Sequence, residues 1–396
     1  MTTATKQITF TPMQEGAADS IEQWFKQGKN QTYVLQGYAG TGKSTIVEYA
    51  ISRTGLNMKE EVAFACYTGK AALVLTQKAK GQFKVQTIHR LIYTLDETSK
   101  GAPNFILKPK QELSDLKLIV IDEASMVDGQ IMKDLKSFGI KTLFIGDQGQ
   151  LPPVSKHGNE EFLQMFNNPD YVLTEIHRQA ADNPIIHLSM LARTKQPIPY
   201  GWYGKNKEAL VISRIQWQSL KESCYTTADQ IICGKNKTRH QLNQDIRKYL
   251  GFTDPLPQKG DKLICIKNDW EKNIRDVNLV NGMTGYVESA KYELNKKFNI
   301  DRSAFQINFR PDFTSQSFRK LCLIGDHFKG VEYKLQPGEY SLYNEFDYGY
   351  AITCHKSQGS QWEKVVVINE VLNFEDHHRW LYTAITRSSE KLVLVM

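Results

Sequence analysis

Residues 37–44 read GYAGTGKS, a glycine-rich segment. The apolar, β-branched segment 32–36 before it predicts a buried strand, and residues 45–53 after it predict a helix. A glycine-rich turn between a strand and a helix surrounds a polyphosphate with backbone N–H groups, and the helix N-terminus adds partial positive charge. The stretch therefore predicts a site for a nucleoside triphosphate.

The residue types within this loop each have a predicted role. The glycines, which let the backbone approach the phosphates closely, are Gly37, Gly40 and Gly42. Lys43 is predicted to reach the β- and γ-phosphates, and the Ser44 hydroxyl is predicted to ligate Mg²⁺. Thr41 and Thr45 complete the predicted nucleotide contacts of the loop.

Length and composition set the outer limits of the interpretation. A chain of 396 residues is too long for one ordinary core, so we expect two or more domains. The net charge of +7 mildly favours a polyanionic partner, although a basic enzyme surface would give the same charge. The six cysteines are scattered without a C-x-x-C pair, which indicates reduced thiols and not a zinc or iron–sulfur site. With neither a signal-peptide core nor a membrane-length apolar run, we expect a soluble, cytoplasmic protein.

A second chemical landmark is residues 118–123, which read LIVIDE. Four aliphatic residues predict a buried parallel strand whose carboxyl end carries Asp122 and Glu123, where ligands of open α/β sheets bind. Asp122 is predicted to hold Mg²⁺ directly or through water, and Glu123 to orient and deprotonate an attacking water. Gln150, beyond the next strand, is predicted to contact the γ-phosphate and this water. Glu123 also indicates hydrolysis rather than transfer to a small acceptor.

Further segments suggest how the chain is divided. The predicted strand 61–67 leads into residues 68–72, a corner suited to a nucleic-acid backbone. Residues 94–110 predict a small inserted β-hairpin, with an ordinary surface loop as an equal alternative. A second α/β unit begins at the predicted strand 230–233, and from residue 255 to about 343 short strands and turns predict an inserted β-barrel.

The order of these motifs resembles superfamily 1 helicases of the 5′→3′ branch, the RecD-like and Dda-like enzymes. The segments that carry the resemblance are 37–45 (GYAGTGKST), 68–71 (TGKA), 87–89 (TIH), 122–126 (DEASM), 146–154 (GDQGQLPPV), 173–178 (LTEIHR), 353–359 (TCHKSQG) and 382–387 (YTAITR). These segments span nearly the whole chain, and together in this order they are far more specific than any one of them.

The resemblance implies an α/β fold of two RecA-like P-loop NTPase domains, with ATP and Mg²⁺ in the cleft between them. It also implies a β-hairpin insertion that separates the two strands of DNA, and an SH3-like β-barrel insertion. The implied boundaries are 1–93 and 111–180 for domain 1A, 94–110 for the hairpin pin (1B), 181–254 and 346–396 for domain 2A, and 255–345 for the SH3-like domain (2B).

Residue roles follow from the same resemblance. Gln14, which alone would be taken for a solvated residue near a helix start, would read adenine. Arg178 and Arg387 would act as arginine fingers, because a guanidinium neutralises the charge that develops in phosphoryl transfer. Gln150 and Gly359 would link the state of the nucleotide phosphates to the binding of DNA.

The implied DNA contacts form a separate set. Phe105 is the best candidate for the apolar tip of the pin. The residues that would line the path of the strand are Thr68, Lys70, Thr87, His89, His355 and Lys356.

The predicted function is an ATP-driven helicase that moves 5′→3′ on single-stranded DNA and opens forked duplex DNA. One alternative is an RNA-directed helicase of the same superfamily, since phosphate contacts do not separate DNA from RNA. Another is a nucleotide-switched clamp that holds single strands without unwinding. The presence of Glu123, Gln150, Arg178 and Arg387 speaks against the clamp.

Overall fold

The computed structural model describes residues 9–79, 81–95, 105–152, 160–175, 182–274, 277–292, 303–335, 339 and 341–396. Contacts within the chain divide it into two compact units. The first unit contains Met1–Tyr67, Leu75–Ile92 and Leu107–Ile186, and the second contains Thr68–Val74, Tyr93–Ile106 and His187–Met396. Segment 68–74 thus groups with the second unit, whereas the predicted boundaries place it in the first domain.

Up to residue 175, the described part of the chain alternates strands and helices. The strands are β1 (Thr32–Gly37), β2 (Val62–Cys66), β3 (Lys84–Thr87), β4 (Tyr93–Leu95), β5 (Phe105–Leu107), β6 (Leu118–Asp122), β7 (Lys141–Gly146) and β8 (Tyr171–Leu173). The α-helices are α1 (Pro12–Gln27), α2 (Lys43–Ser52), α3 (Gly69–Ala79), α4 (Ile88–Ile92), α5 (Gly129–Ser137) and α6 (Glu160–Asn167).

The core of the first unit is a six-stranded sheet in the order β3-β2-β6-β7-β1-β8. The five pairs of neighbouring strands in this order are all parallel. Strands β1, β2, β6 and β7 are almost entirely buried, as expected for apolar strands covered on both faces. Parallel strands end at one edge of a sheet, so β1, β6 and β7 deliver the phosphate loop, Asp122 and Gly146 to the same edge.

From residue 182 onward, the described strands and helices continue in the same numbering. The strands are β9 (Gly201–Tyr203), β10 (Ala209–Ile212), β11 (Gln230–Cys233), β12 (Lys262–Cys265), β13 (Asp269–Ile274), β14 (Val277–Leu279), β15 (Thr284–Lys291), β16 (Ala304–Pro311), β17 (Phe318–Ile324), β18 (Phe346–Tyr348), β19 (Ala351–Thr353), β20 (Trp362–Ile368) and β21 (Ser388–Val395). The helices are α7 (Pro184–Arg193), α8 (Arg214–Thr227), α9 (Asn236–Tyr249), α10 (Gly325–Phe328), α11 (Cys354–Ser357) and α12 (His377–Ile385).

The second unit contains its own α/β sheet, in the order β19-β11-β20-β21-β10-β9. The pairing of β9 with β10 is antiparallel, and the other pairings in this sheet are parallel. Together with the first sheet and its phosphate loop, this arrangement confirms the predicted mixed α/β class.

A five-stranded antiparallel sheet, which we call the insert sheet, lies between α9 and β19 in the sequence. Its order is β17-β16-β15-β12-β18, and a buried cluster that includes Phe309, Leu321 and Phe346 packs on it. Strand β18 (Phe346–Tyr348) pairs with β12, so the insert sheet extends past the boundary predicted at residue 345. The SH3-like classification of this region stays a prediction.

Strands β4 and β5 form a two-stranded sheet within the predicted hairpin insertion. Residues 96–104, which include the predicted turn, lie outside the described residues. In the described part of the chain, every helix is too short or too polar to traverse a lipid bilayer.

Candidate active site

The phosphate loop connects the end of β1 to the start of α2. Gly40 and Gly42 have φ angles of 81° and 78°, a left-handed conformation that disfavours residues with a Cβ atom. Gly42 is the N-cap of α2, and within the described residues no side chain caps this helix start. The first amides of α2 are therefore available to an anion, as the sequence pattern predicts.

Lys43 folds back over the loop that it follows. Its ammonium donates hydrogen bonds to the carbonyl oxygens of Gly37, at 2.8 Å, and Tyr38, at 3.0 Å. Phosphate oxygens are stronger partners for an ammonium than neutral carbonyls, because both groups are then charged. The arrangement holds the lysine beside the position where the loop would bind phosphates.

Ser44 and Asp122 come together although they are 78 residues apart. The Ser44 hydroxyl donates to Oδ2 of Asp122 over 3.4 Å, and the other carboxylate oxygen accepts the backbone N–H of Glu123 at 2.8 Å. A hydroxyl facing a carboxylate supplies the hard oxygen ligands that Mg²⁺ prefers. Mg²⁺ usually binds through one or two carboxylates together with waters and substrate phosphates, so one carboxylate and one hydroxyl fit such a site.

Glu123 has an unusual backbone conformation. Its φ of 54° lies in the left-handed region, which is uncommon for a residue with a long side chain. Strained backbone of this kind is concentrated at functional sites, where it aims a side chain in a direction that relaxed geometry would not reach. The predicted general base therefore occupies a locally costly position next to Asp122.

Gln150 follows β7 and is buried, with 8% of its surface exposed. Its side-chain Oε1 has no hydrogen-bond partner among the described residues. A buried amide oxygen without a partner is costly, so it calls for a water or ligand donor. This orphaned acceptor is compatible with the predicted contact to an attacking water.

Gln14 is buried and bonded at both ends of its side chain. Its Oε1 accepts the backbone N–H of Thr11 at 2.9 Å, which completes a capping box at the start of α1. Its Nε2 donates to the carbonyl of Thr41 at 3.1 Å. The amide predicted to read adenine thus connects α1 to the phosphate loop.

Thr87 and His89 lie at the junction of β3 and α4. The Thr87 hydroxyl accepts the backbone N–H of Arg90 at 3.2 Å, and burial lowers the pKa of His89. Tyr67, at the end of neighbouring strand β2, meets the His89 ring edge to face at a centroid distance of 6.2 Å. Tyr67 is not among the predicted site residues, although an aromatic residue directly before the TGKA segment is a signal that points to this position.

The predicted residues of the second unit are mostly enclosed. Burial lowers the pKa values of His355 and Lys356, both of which belong to α11. Gly359 has a φ of 72°, and a Cβ atom there would lie 2.9 Å from the Thr68 hydroxyl oxygen. Glycine at this position therefore allows close approach to Thr68.

Arg387 is buried inside the second unit, and its guanidinium makes three hydrogen bonds there. Its guanidinium donates to the carbonyls of Thr383, at 3.1 Å, and Ser360, at 3.2 Å, and to the Thr386 hydroxyl, at 3.2 Å. A role as an arginine finger would use the remaining N–H donors of the guanidinium or exchange some of these bonds for phosphate.

Three further predicted residues have different outcomes. Lys70 is buried and its ammonium donates to the Thr284 hydroxyl, and its place along the path of the DNA stays a prediction. Phe105 is exposed, with 43% of its surface accessible, and its role in the pin stays a prediction. Arg178 lies outside the described residues.

Two family models match the chain. Residues 12–208 match an AAA domain, and residues 348–395 match the UvrD-like helicase C-terminal domain. The first covers the phosphate loop, the Asp122-Glu123 pair and Gln150, and the second covers the TCHKSQG and YTAITR segments.

Curated relatives match along most of the chain. The ATP-dependent RecD2 DNA helicase of Deinococcus radiodurans is 27% identical over 378 residues, which cover 90% of this chain and 46% of RecD2. The ATP-dependent DNA helicase Pif1 of Campylobacter jejuni is 26% identical over 418 residues, which cover 90% of this chain and 86% of that protein. The chain thus spans about half the length of RecD2.

The fold is similar to that of a solved helicase. Bacteroides Pif1 bound to single-stranded DNA superposes with a TM-score of 0.55 at 19% identity, over 98% of this chain and 92% of the other. Taken with the two family models and the RecD2 and Pif1 relatives, the ordered motifs support a superfamily 1 helicase of the RecD/Pif1-like kind.

Proposed function

We propose that this protein is an ATP-dependent DNA helicase that moves 5′→3′ on single-stranded DNA and opens forked duplexes. The observation that carries the proposal is the meeting of Ser44 with Asp122 at 3.4 Å beside the phosphate loop, with Glu123 next in the chain. This is the residue set that nucleotide hydrolysis requires. The RecD2 and Pif1 relatives, which are named as ATP-dependent DNA helicases, support the nucleic-acid half of the proposal.

Hydrolysis is assigned to the first unit. Amides of the loop and the Lys43 ammonium bind the phosphates, and Ser44 with Asp122 would hold Mg²⁺, which when bound neutralises charge on the β- and γ-phosphates. Glu123 orients the attacking water and accepts its proton. The unpartnered Oε1 of Gln150 accepts a hydrogen bond from the same water.

Two arginines and one glycine are proposed to supply the response to hydrolysis. Arg178 and Arg387 are proposed to contact the γ-phosphate, where a guanidinium stabilises the charge of the transition state. Gly359, which approaches Thr68 closely, is proposed to pass the state of the nucleotide to the residues that hold the strand.

Binding of single-stranded DNA is assigned to residues at the ends of β-strands and helices. Thr68, Thr87, His89, His355 and Lys356 are proposed to line the path of the DNA. The exposed Phe105 ring is proposed to separate the duplex at the fork, with the insert sheet as an SH3-like accessory domain.

Duplexes with one single-stranded tail test both the activity and its direction. We expect ATP-dependent unwinding of a duplex with a 5′ tail and none with a 3′ tail. Unwinding of the 3′-tailed duplex alone would reverse the proposed polarity, and binding of both without unwinding would favour the clamp. Preferential unwinding of matched RNA duplexes would favour the RNA-directed helicase.

A further inference from the structure

Within the second unit, the first turns of α3 pack on the insert sheet. Leu73 belongs to the same buried cluster as Leu263 and Phe309. A Cβ atom at Gly69 would lie 2.3 Å from Cβ of Val280, so this approach requires glycine. The segment that begins with Thr68 is therefore fixed against a sheet whose residues lie about two hundred positions later in the sequence.

Lys70 supplies the polar part of this contact. Its ammonium donates to the Thr284 hydroxyl at 3.0 Å and lies 4.0 Å from the Asp312 carboxylate. The same ammonium lies 4.4 Å from the centroid of the Trp362 ring, in a cation–π contact. The Thr284 hydroxyl in turn donates to Asp312, so the three polar groups form one hydrogen-bonded chain.

Because Lys70 is buried, its ammonium needs hydrogen-bonding partners within the protein. Only 7% of the surface of Lys70 is exposed, and desolvation lowers the pKa of its ammonium while Asp312 acts in the opposite direction. A buried ammonium is tolerated only when it is paired and hydrogen-bonded. The Lys70 ammonium therefore contacts Thr284 and Asp312 where a DNA-binding lysine would contact a phosphate.

The other side of the same segment is also closely packed. The Thr68 hydroxyl accepts the backbone N–H of Ala71 at 3.2 Å, and a Cβ atom at Gly359 would lie 2.9 Å from both Thr68 and Ala71. Residues 68–71 are thus held by the Gly359 backbone and by the Lys70 side chain. Loss of either contact would leave the position of Thr68 less well defined.

We propose that Lys70 is a positioning residue that, through Thr284 and Asp312, fixes residues 68–71 for binding of single-stranded DNA. The insert sheet would then set the affinity for the strand without a phosphate contact from Lys70. This inference rests on the proposed function, in that it assumes the protein binds single-stranded DNA.

Thr284 offers a matched pair of variants for the test. Thr284→Val keeps the shape of the side chain but removes the hydroxyl, whereas Thr284→Ser keeps the hydroxyl. Binding of a fluorescent oligothymidine is measured by anisotropy at several salt concentrations. We expect Thr284→Val to weaken binding about tenfold, from a lost bond to a charged group, and Thr284→Ser to bind like the wild type. The salt dependence should be unchanged, because no phosphate contact is lost.

Lys70→Met provides the second arm of the test. We expect a loss similar to that of Thr284→Val, an unchanged salt slope, and no further loss in the double variant, because both changes break one hydrogen-bonded chain. Should Thr284→Val fail to melt cooperatively, Asp312→Ala replaces it with the same expected loss.

A direct phosphate contact gives a different pattern. Lys70→Met would then reduce the salt slope by about one, and Thr284→Val would bind like the wild type. That result, or additive losses in the double variant, would overturn the positioning role. Failure of the wild type to bind the oligonucleotide at all would instead refute the proposed function.

Discussion

The side-chain amide of Gln14 donates a hydrogen bond to the backbone carbonyl of Thr41 over 3.1 Å. The same amide accepts the N–H of Thr11, so one buried side chain joins the start of α1 to the phosphate loop. Since neither bond involves a nucleotide base, this contact supports the loop whatever base is bound.

Gln14→Ala tests this support against the predicted recognition of adenine. Removing a buried hydrogen bond of this kind costs about 1 kcal/mol, so we expect ATP and GTP to bind about fivefold more weakly, to the same extent. Dissociation constants for both nucleotides, measured by calorimetry, check this. Gln14→Glu is the control, because it keeps the acceptor for Thr11 and loses the donor to Thr41. A loss confined to ATP would show that Gln14 reads adenine.

Two substitutions of Glu123 separate the effect of backbone strain on stability from the effect of the carboxylate on ATP turnover. Glu123→Ala and Glu123→Gly both remove the carboxylate, and we expect both to lower ATP turnover by at least about a hundredfold. Because φ is 54°, only glycine relieves the backbone. Glu123→Gly should therefore be more stable than Glu123→Ala by about 1 kcal/mol in urea unfolding. Equal stabilities would argue against strain at this position, and retained turnover would exclude Glu123 as the base.

Arg387 combines an observed structural role with a proposed catalytic one. Arg387→Ala removes the hydrogen bonds that the carbonyls of Thr383 and Ser360 accept from the guanidinium, so we expect the free energy of unfolding to fall by about 1–3 kcal/mol. Folded Arg387→Ala should bind ATP nearly normally and lose most of its hydrolysis. Arg387→Lys is the control, since it keeps the charge and loses the planar fork. Normal hydrolysis by the folded alanine variant would rule out the finger role.

Phe105 and Ile106 form a matched pair on β5. Both are exposed, at 43% and 49%, and successive residues of a strand point to opposite faces. We expect Phe105→Ala to slow the opening of a forked duplex several-fold while sparing ATPase stimulation by single strands, with Ile106→Ala close to the wild type. Stopped-flow unwinding of a labelled fork measures this. An equal slowing in both variants would indicate general disturbance of the β4–β5 pair.

Local patterns predicted most of the α/β framework. The run LIVID at residues 118–122 forms β6, and GYAGTGKS connects β1 to α2, because buried strands and phosphate loops are encoded by adjacent residues. Local patterns did not predict the contacts of Lys70. A lysine at a strand–helix corner resembles a phosphate ligand, but its partner Thr284 lies 214 residues away. The pairing of β18 with β12 likewise joins residues far apart in the sequence, which local patterns do not encode.

The coupling of ATP hydrolysis to single-stranded DNA is tested most directly by steady-state ATPase activity with and without an oligothymidine. We predict slow turnover alone, manyfold stimulation by the DNA, weaker stimulation by an equivalent RNA, and no turnover by Lys43→Ala under any condition. ATP turnover by the wild type that is indifferent to single-stranded DNA would contradict the proposed helicase.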